Sequence, residues 1–351
     1  MKITKIPGLG RFGCFVDDLD FDNLSDEEWM KLGQLHLESL VTIIRNVKIS
    51  PADYDQRMMQ WGNHRVLQYY RILKKFNLYD PTPLLNGERI INGVEVDADT
   101  AKWLQTSLDL MPGGEIGRRT QMLRVSGLKN DKGNPIGMFA EGELLWHSNE
   151  SGNLCFAPAV SLLGHHGVVG SATGFVTTPD WYEAQSEAFR SELDEMVIEH
   201  KFTPGKINPG LREDQDYLMY KNMCPVPNEL PLVIKSPLGI KGLHYSVNTI
   251  DNIKGMSPEE SAKVFDYINK TLFVEKYTYD HWYKQDNDLC LFDNSITLHR
   301  RLGGIADRLC YRIQYDYRNL APKDYNPYFQ EPYISQYNTE ISEVNRTLGI
   351  K

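Results

Sequence analysis

Leu144-Leu145-Trp146-His147-Ser148-Asn149-Glu150 is the stretch on which the reading of this chain turns. Three apolar residues, a histidine and then polar groups read as a buried strand ending at a polar site. A strand end inside a barrel can hold a neutral imidazole in the fixed place a metal centre needs. A lone histidine in such a setting is more often a core residue satisfied by a hydrogen bond. A second histidine, His299, lies about 150 residues later and weighs against that bland reading. It closes Leu291-Phe292-Asp293-Asn294-Ser295-Ile296-Thr297-Leu298-His299, which is followed by Arg308-Leu309-Cys310-Tyr311-Arg312.

Together these segments resemble the taurine dioxygenase (TauD/TfdA-like) family of iron(II)- and 2-oxoglutarate-dependent oxygenases. In that family a Trp-His-x-Asp segment supplies two metal ligands, and an aromatic-Asp-Asn segment leads to the distal histidine. An Arg-x-x-x-Arg pair comes after it. Trp146-His147, Phe292-Asp293-Asn294, His299 and the pair Arg308/Arg312 all match. The family's aspartate falls on Asn149. The resemblance implies that His147 and His299 hold iron and form the catalytic centre. It implies that Arg308 holds the far carboxylate of 2-oxoglutarate, and that Arg312 holds the cosubstrate or an anionic substrate group. Gly170-Ser171-Ala172-Thr173-Gly174-Phe175 resembles the family's Gly-Gly-Asp-Thr segment, which makes Thr173 a further cosubstrate contact.

Asn149 departs from the pattern, and three readings compete. Its amide oxygen ligates weakly and hydroxylation is retained. Or Glu150 replaces it, which needs a bulge because adjacent strand residues face opposite ways. Or the third position is open to water or chloride, as in related halogenases with Gly or Ala there. Asn does not clear that space, so hydroxylation ranks above halogenation or desaturation. In an extended segment Asn149 shares the face of His147 and Glu150 turns away. A barrel that has lost iron and only binds a small molecule or partner is the reading from a different class.

Strand parity gives a check that is independent of the motifs. Between residues 308 and 317, Arg308, Cys310, Arg312, Gln314 and Asp316 fall on one side, and Leu309, Tyr311, Ile313, Tyr315 and Tyr317 on the other. A half-exposed strand would put the arginines on the surface. A polar lumen would put them where planar guanidiniums grip carboxylates.

The bounds agree with a barrel enzyme. The chain has 351 residues, 41% hydrophobic and 11% aromatic, enough for a real core. Its net charge of −9, with no basic block, gives nucleic-acid binding no electrostatic support. Five scattered cysteines without a CxxC pair fit a reducing cytoplasm and exclude common zinc spacings. No apolar run reaches transmembrane length, and the N-terminus shows no signal-peptide core. The resemblance implies a small-molecule substrate and molecular oxygen as partners, and charge and hydropathy speak against nucleic acid and membrane.

The expected fold is mainly β with flanking helices: a single-domain double-stranded β-helix, the cupin-like jelly-roll barrel. Its core spans about 100–320, with helices and strands over 1–62 before it. Gly8-Leu9-Gly10-Arg11-Phe12-Gly13 reads as a turn in a small sheet, not a phosphate loop, since no helix signal follows. Ser25-Asp26-Glu27-Glu28 and Ser257-Pro258-Glu259-Glu260 are capping boxes, and Ser50-Pro51 opens another helix. Val41 to Val47 and Ala159 to Gly164 are core strands. Trp181 to about His200 reads as one amphipathic helix. Pro231–Ile234 and Leu243–Asn248 read as a hairpin, and Ala262, Phe265, Ile268 and Leu272 as a buried stripe. His165 and His166 read as turn residues. Residues 204–231 form a lid candidate over the barrel mouth. Arg118, Arg119 and Arg124 could meet an anionic substrate but read mostly as surface charges, and the aromatic tail from Ala321 reads as packing on the barrel or at a subunit contact.

Overall fold

The computed structural model describes residues 1–62, 64, 86–91, 93–99, 101–102, 122–129, 131, 133, 136–137, 139, 142–151, 157–201, 228–303 and 307–325. The chain opens with strands β1 (Lys2–Lys5) and β2 (Cys14–Asp17), an antiparallel pair whose connection carries Gly8, Gly10 and Gly13 at positive φ. A Cβ on Gly8 would lie 2.4 Å from the Thr278 carbonyl oxygen, so close backbone approach, not phosphate binding, explains that glycine. Helix α1 (Asp26–Ser39) starts at the expected capping box: Ser25 Oγ accepts from Glu28 N–H, and Glu28 accepts from Ser25 N–H. Strand β3 (Val41–Ile44) follows at once and is wholly buried. Helix α2 (Pro51–Met59) is capped by Ser50.

The short hairpin β4 (Ile90–Ile91) and β5 (Val94–Glu95) leads to β6 (Leu123–Ser126), β7 (Leu144–His147), β8 (Ala159–His166) and β9 (Ala172–Thr177). Next come α3 (Pro179–Glu183), α4 (Glu187–Glu195), β10 (Val197–His200), β11 (Asn228–Pro231), β12 (Val233–Lys235), β13 (Lys241–Leu243) and β14 (Ile250–Ile253). The chain continues through α5 (Pro258–Leu272) and β15 (Thr278–Trp282) to β16 (Asp288–Asp293), β17 (Thr297–Arg301) and β18 (Leu309–Tyr315).

Among the described residues the main sheet has the order β1-β2-β3-β16-β8-β18-β6, and a four-stranded sheet the order β15-β9-β17-β7. The two pack face to face: Phe175 of the smaller sheet meets Phe292 of the larger, ring centroids 5.4 Å apart. Alternation decides which side chains enter that space. On β16, Cys290 and Phe292 point to the inter-sheet core, while Leu289 and Leu291 join Trp29, Tyr54 and Trp61 under α1 and α2. On β17, Leu298 points outward to a cluster with Trp181, Leu193, Ile268 and Leu272 under α3, α4 and α5. Helices thus cover both outer faces and leave the inner faces to line a site.

Four expectations change. Trp181 to His200 is not one helix: α3 and α4 are separate, Ser186 caps a new start, and β-branched Val197 and Ile198 pair with β11 and β14. The hairpin is β12 with β13, Val233 opposite Leu243, whereas Pro231 ends β11, paired with Val197. In α5, Ser261 is buried and Ala262 is exposed, because Ser261 Oγ accepts from Ile253 N–H at 3.1 Å. Strand β8 also runs through His165 and His166; the turn begins at Gly167, with φ +65°. Among the described residues no helix is long and apolar enough to cross a membrane. Arg118, Arg119, most of the 204–231 segment and the tail beyond Tyr325 lie outside the described residues.

Candidate active site

His147 and His299 are direct register partners on β7 and β17. Their rings lie 4.1 Å apart between centroids, and both side chains are buried. Between His299 and Arg301 the register shifts, with Arg301 opposite Leu144. The extra residue lies in β7, a bulge of the kind that re-aims side chains beside active sites. His147 Nδ1 lies 2.7 Å from the Leu145 carbonyl oxygen, so Nδ1 carries the proton and Nε2 the lone pair. His299 Nδ1 is buried with no hydrogen-bond partner among the described residues. Burial, then nearby Arg312 and Arg301, pushes His147 down to about 4. Burial, then His147 and Arg312, holds His299 well below its ordinary value. Both rings are neutral at neutral pH, the state a metal requires.

The Asp293-Asn294 pair explains how β16 delivers β17. Asp293 Oδ1 accepts from the N–H groups of Ser295 and Ile296 at 2.8 and 2.9 Å, closing a tight turn. Asn294 reaches across to the other histidine's segment. Its Oδ1 accepts from Asn149 N–H at 2.7 Å, and its Nδ2 donates to the carbonyls of Asn149 and Ala157 at 3.0 and 2.8 Å. One amide side chain therefore ties both histidine-bearing segments together.

Asn149 is buried and sits in a turn just past β7, and Glu150 has φ +65°. The extended segment expected through Glu150 ends at His147, so strand parity does not govern these two residues. Arg312 Nη1 donates to Asn149 Oδ1 at 3.3 Å. A guanidinium only donates, which identifies the facing amide atom as oxygen. Asn149 Nδ2 is buried with no partner among the described residues.

The pocket between the sheets is lined by both histidines, Thr173, Tyr283, Arg300, Arg301, Arg308 and Arg312, with apolar walls from Phe139, Leu162 and Phe292. Arg308 and Arg312 both enter it, as alternation along β18 predicts. Arg308 is buried, and its Nη1 has no partner among the described residues. Arg312 is lowered to about 10, chiefly by burial, and stays charged at neutral pH. No carboxylate lines the pocket among the described residues. Among the described residues no group of three His, Cys, Asp or Glu stands ready for a metal. The donor set therefore suits a divalent cation through two neutral imidazoles, without the usual third, anionic protein ligand.

Arg301 and Tyr283 were not singled out from sequence. Arg301 shares the face of His299 at i+2, a signal that was present. Its Nε donates to the Gly142 carbonyl at 2.7 Å and its Nη1 to the Phe139 carbonyl, pinning that segment beside the pocket. Tyr283 follows an edge strand rich in aromatics, where nothing marked it. Arg124 is half-buried on β6, and its neighbour Val125 lines the pocket instead. His165 packs on Tyr311 with rings 5.2 Å apart, and His166 is exposed.

The family model "Taurine catabolism dioxygenase TauD, TfdA family" matches residues 3–313. Matched over most of its length, the chain is a 2-oxoglutarate-dependent dioxygenase, an oxidoreductase. It belongs to the TauD/TfdA family, whose members use Fe(II) and 2-oxoglutarate. The crystal structure of AAD-2 in complex with Mn(II) and N-oxalylglycine is similar at a TM-score of 0.61 and 18% identity, covering 90% of this chain and 97% of that one. A taurine dioxygenase from Burkholderia xenovorans gives 0.58 and 17%, covering 89% of each chain. At such identities the likeness is one of fold, and it makes the paired sheets a TauD-like double-stranded β-helix. No curated protein sequence matches this chain significantly.

Proposed function

We propose that this chain hydroxylates a small polar substrate, anionic or amino-acid-like, using Fe(II), 2-oxoglutarate and oxygen. One observation carries the reading: the pocket holding the histidine pair is lined by four arginines and no carboxylate among the described residues. Arg300 pairs with Asp280, whereas Arg308 keeps a buried Nη1 with no partner among the described residues, and a buried guanidinium calls for an anionic ligand. 2-Oxoglutarate supplies two carboxylates, and an anionic substrate group supplies more.

His147 and His299 would hold the iron, kept neutral by burial. When bound, the metal supplies oxygen activation coupled to oxidative decarboxylation of 2-oxoglutarate. Arg308 and Thr173 would hold the far carboxylate, Arg308 by a charge-assisted bond. Arg312 would orient an anionic substrate group. The two packed sheets exclude water and keep the oxidised position of the substrate away from wrong side chains.

The contact between Arg312 and Asn149 favours a second reading of the third metal position. With its oxygen held by the guanidinium, Asn149 leaves that position to water or a small anion. Chlorination or desaturation then becomes an alternative outcome on the same site. A substrate screen read by product mass distinguishes the three: +16, −2 or a chlorine isotope pattern. Turnover of a neutral lipid or a nucleic acid in preference to small anions would refute the substrate class. A wild-type protein that binds no iron would instead be a binding module on this fold.

A further inference from the structure

We propose that Tyr283 is a third donor to the far carboxylate of the cosubstrate, so that this chain holds that group through Tyr283, Thr173 and Arg308 together. The inference rests on the 2-oxoglutarate reading above and adds a residue to it. Tyr283, one residue beyond β15, is 3% exposed and lines the pocket. Its hydroxyl lies 3.2 Å from Thr173 Oγ1 and 3.5 Å from Cys290 Sγ. A thiol is a weak partner, and two hydroxyls facing one another satisfy only one donor between them. A carboxylate oxygen accepts from both. Arg308 brings the charge: it lines the same pocket with a buried Nη1 that has no partner among the described residues.

The backbone holds the phenol in register with the threonine. Tyr283 N–H donates to the Ser171 carbonyl at 3.0 Å, and the Tyr283 carbonyl accepts from Gly170 N–H at 3.1 Å. Both contacts fall in the turn that leads into Thr173. Gly164, opposite Cys310 in β18, makes room for the ring, since a Cβ there would lie 3.0 Å from Tyr283 Cε1. His281 packs edge-on against the ring at 4.7 Å, and its own Nε2 is engaged by Asp288 at 3.1 Å. Burial raises the phenol well above its ordinary value, which keeps it a donor beside a carboxylate.

The test compares two ligands that differ only at the far end, 2-oxoglutarate and 2-oxopentanoate. Binding is measured anaerobically by calorimetry on the full chain loaded with Mn(II). Tyr283→Phe is expected to weaken 2-oxoglutarate by roughly ten-fold or more, the range for a hydrogen bond to a charged group, and to leave 2-oxopentanoate within about two-fold. Tyr283→His, which keeps a donor, is expected to restore part of the preference. Thr173→Val reads the same subsite if the Phe variant does not fold, and its loss is expected to be selective for 2-oxoglutarate as well. Unchanged 2-oxoglutarate affinity in Tyr283→Phe, or equal losses for both ligands, overturns the role of Tyr283. A wild-type protein that binds neither ligand overturns the cosubstrate reading itself, an outcome the variants cannot mimic.

Discussion

Arg312 donates to the side-chain oxygen of Asn149 at 3.3 Å, two residues past His147. The amide is thereby turned with its oxygen toward a cation and its buried Nδ2 toward no partner among the described residues. Asn149→Asp places an anionic oxygen beside the histidine pair and is expected to tighten Mn(II) or Fe(II) binding by roughly ten-fold or more. Glu150→Ala is expected to leave metal affinity nearly unchanged. Anaerobic metal titration checks both, and loss of binding in Glu150→Ala alone would make Glu150 the ligand.

Asn294 is the fastening between the two histidine-bearing segments. Replacing it with Ala removes three hydrogen bonds and leaves buried backbone groups of Asn149 and Ala157 unpaired. We expect a loss of about 2–4 kcal/mol in urea unfolding, together with weaker metal binding. Wild-type stability in Asn294→Ala would contradict this role.

Asp293 gives a pH signature. Burial pushes its carboxyl up from 3.8 to about 7, and its Oδ2 has no partner among the described residues. The folded state then binds more protons than the unfolded chain between those values. This contribution to stability is full below about 3.8 and is lost as pH rises through about 7. Asp293→Asn keeps an oxygen for the Ser295 and Ile296 N–H groups but does not ionise. Wild type is therefore expected to lose stability relative to the variant by up to about 1.4 kcal/mol per pH unit between roughly pH 5 and 7. Urea curves of the metal-free protein across that range measure it, and a constant difference would contradict it.

The parts of this fold that were legible in the sequence are those where one local rule dominates. Parity along β18 put Arg308 and Arg312 on one face, and packing on its other face by Tyr311, Ile313 and Tyr315 enforces that register. Ser25 and Ser257 marked their helices because capping is local chemistry. Between Trp181 and His200 the spacing of Leu193, Met196 and Ile198 suits a helix or a strand, and pairing partners far along the chain decided it. Asn149 and Glu150 were assigned faces by strand parity, but the chain has left β7 there and entered a turn that Asn294 holds. Tyr283 lines the site only through the packing of one sheet on another, which no local pattern encodes.

The central claim is that the two histidines and the arginine-lined pocket together bind Fe(II) and 2-oxoglutarate. Anaerobic addition of both to the purified chain, followed by visible absorption spectroscopy, tests it most directly. The account predicts a weak metal-to-ligand charge-transfer band that needs both components. In Arg308→Ala the band is expected to require more 2-oxoglutarate, by the roughly 1.5–3 kcal/mol of a hydrogen bond to a charged group. Absence of the band in the wild type, with no calorimetric binding of 2-oxoglutarate in the presence of iron, would contradict it.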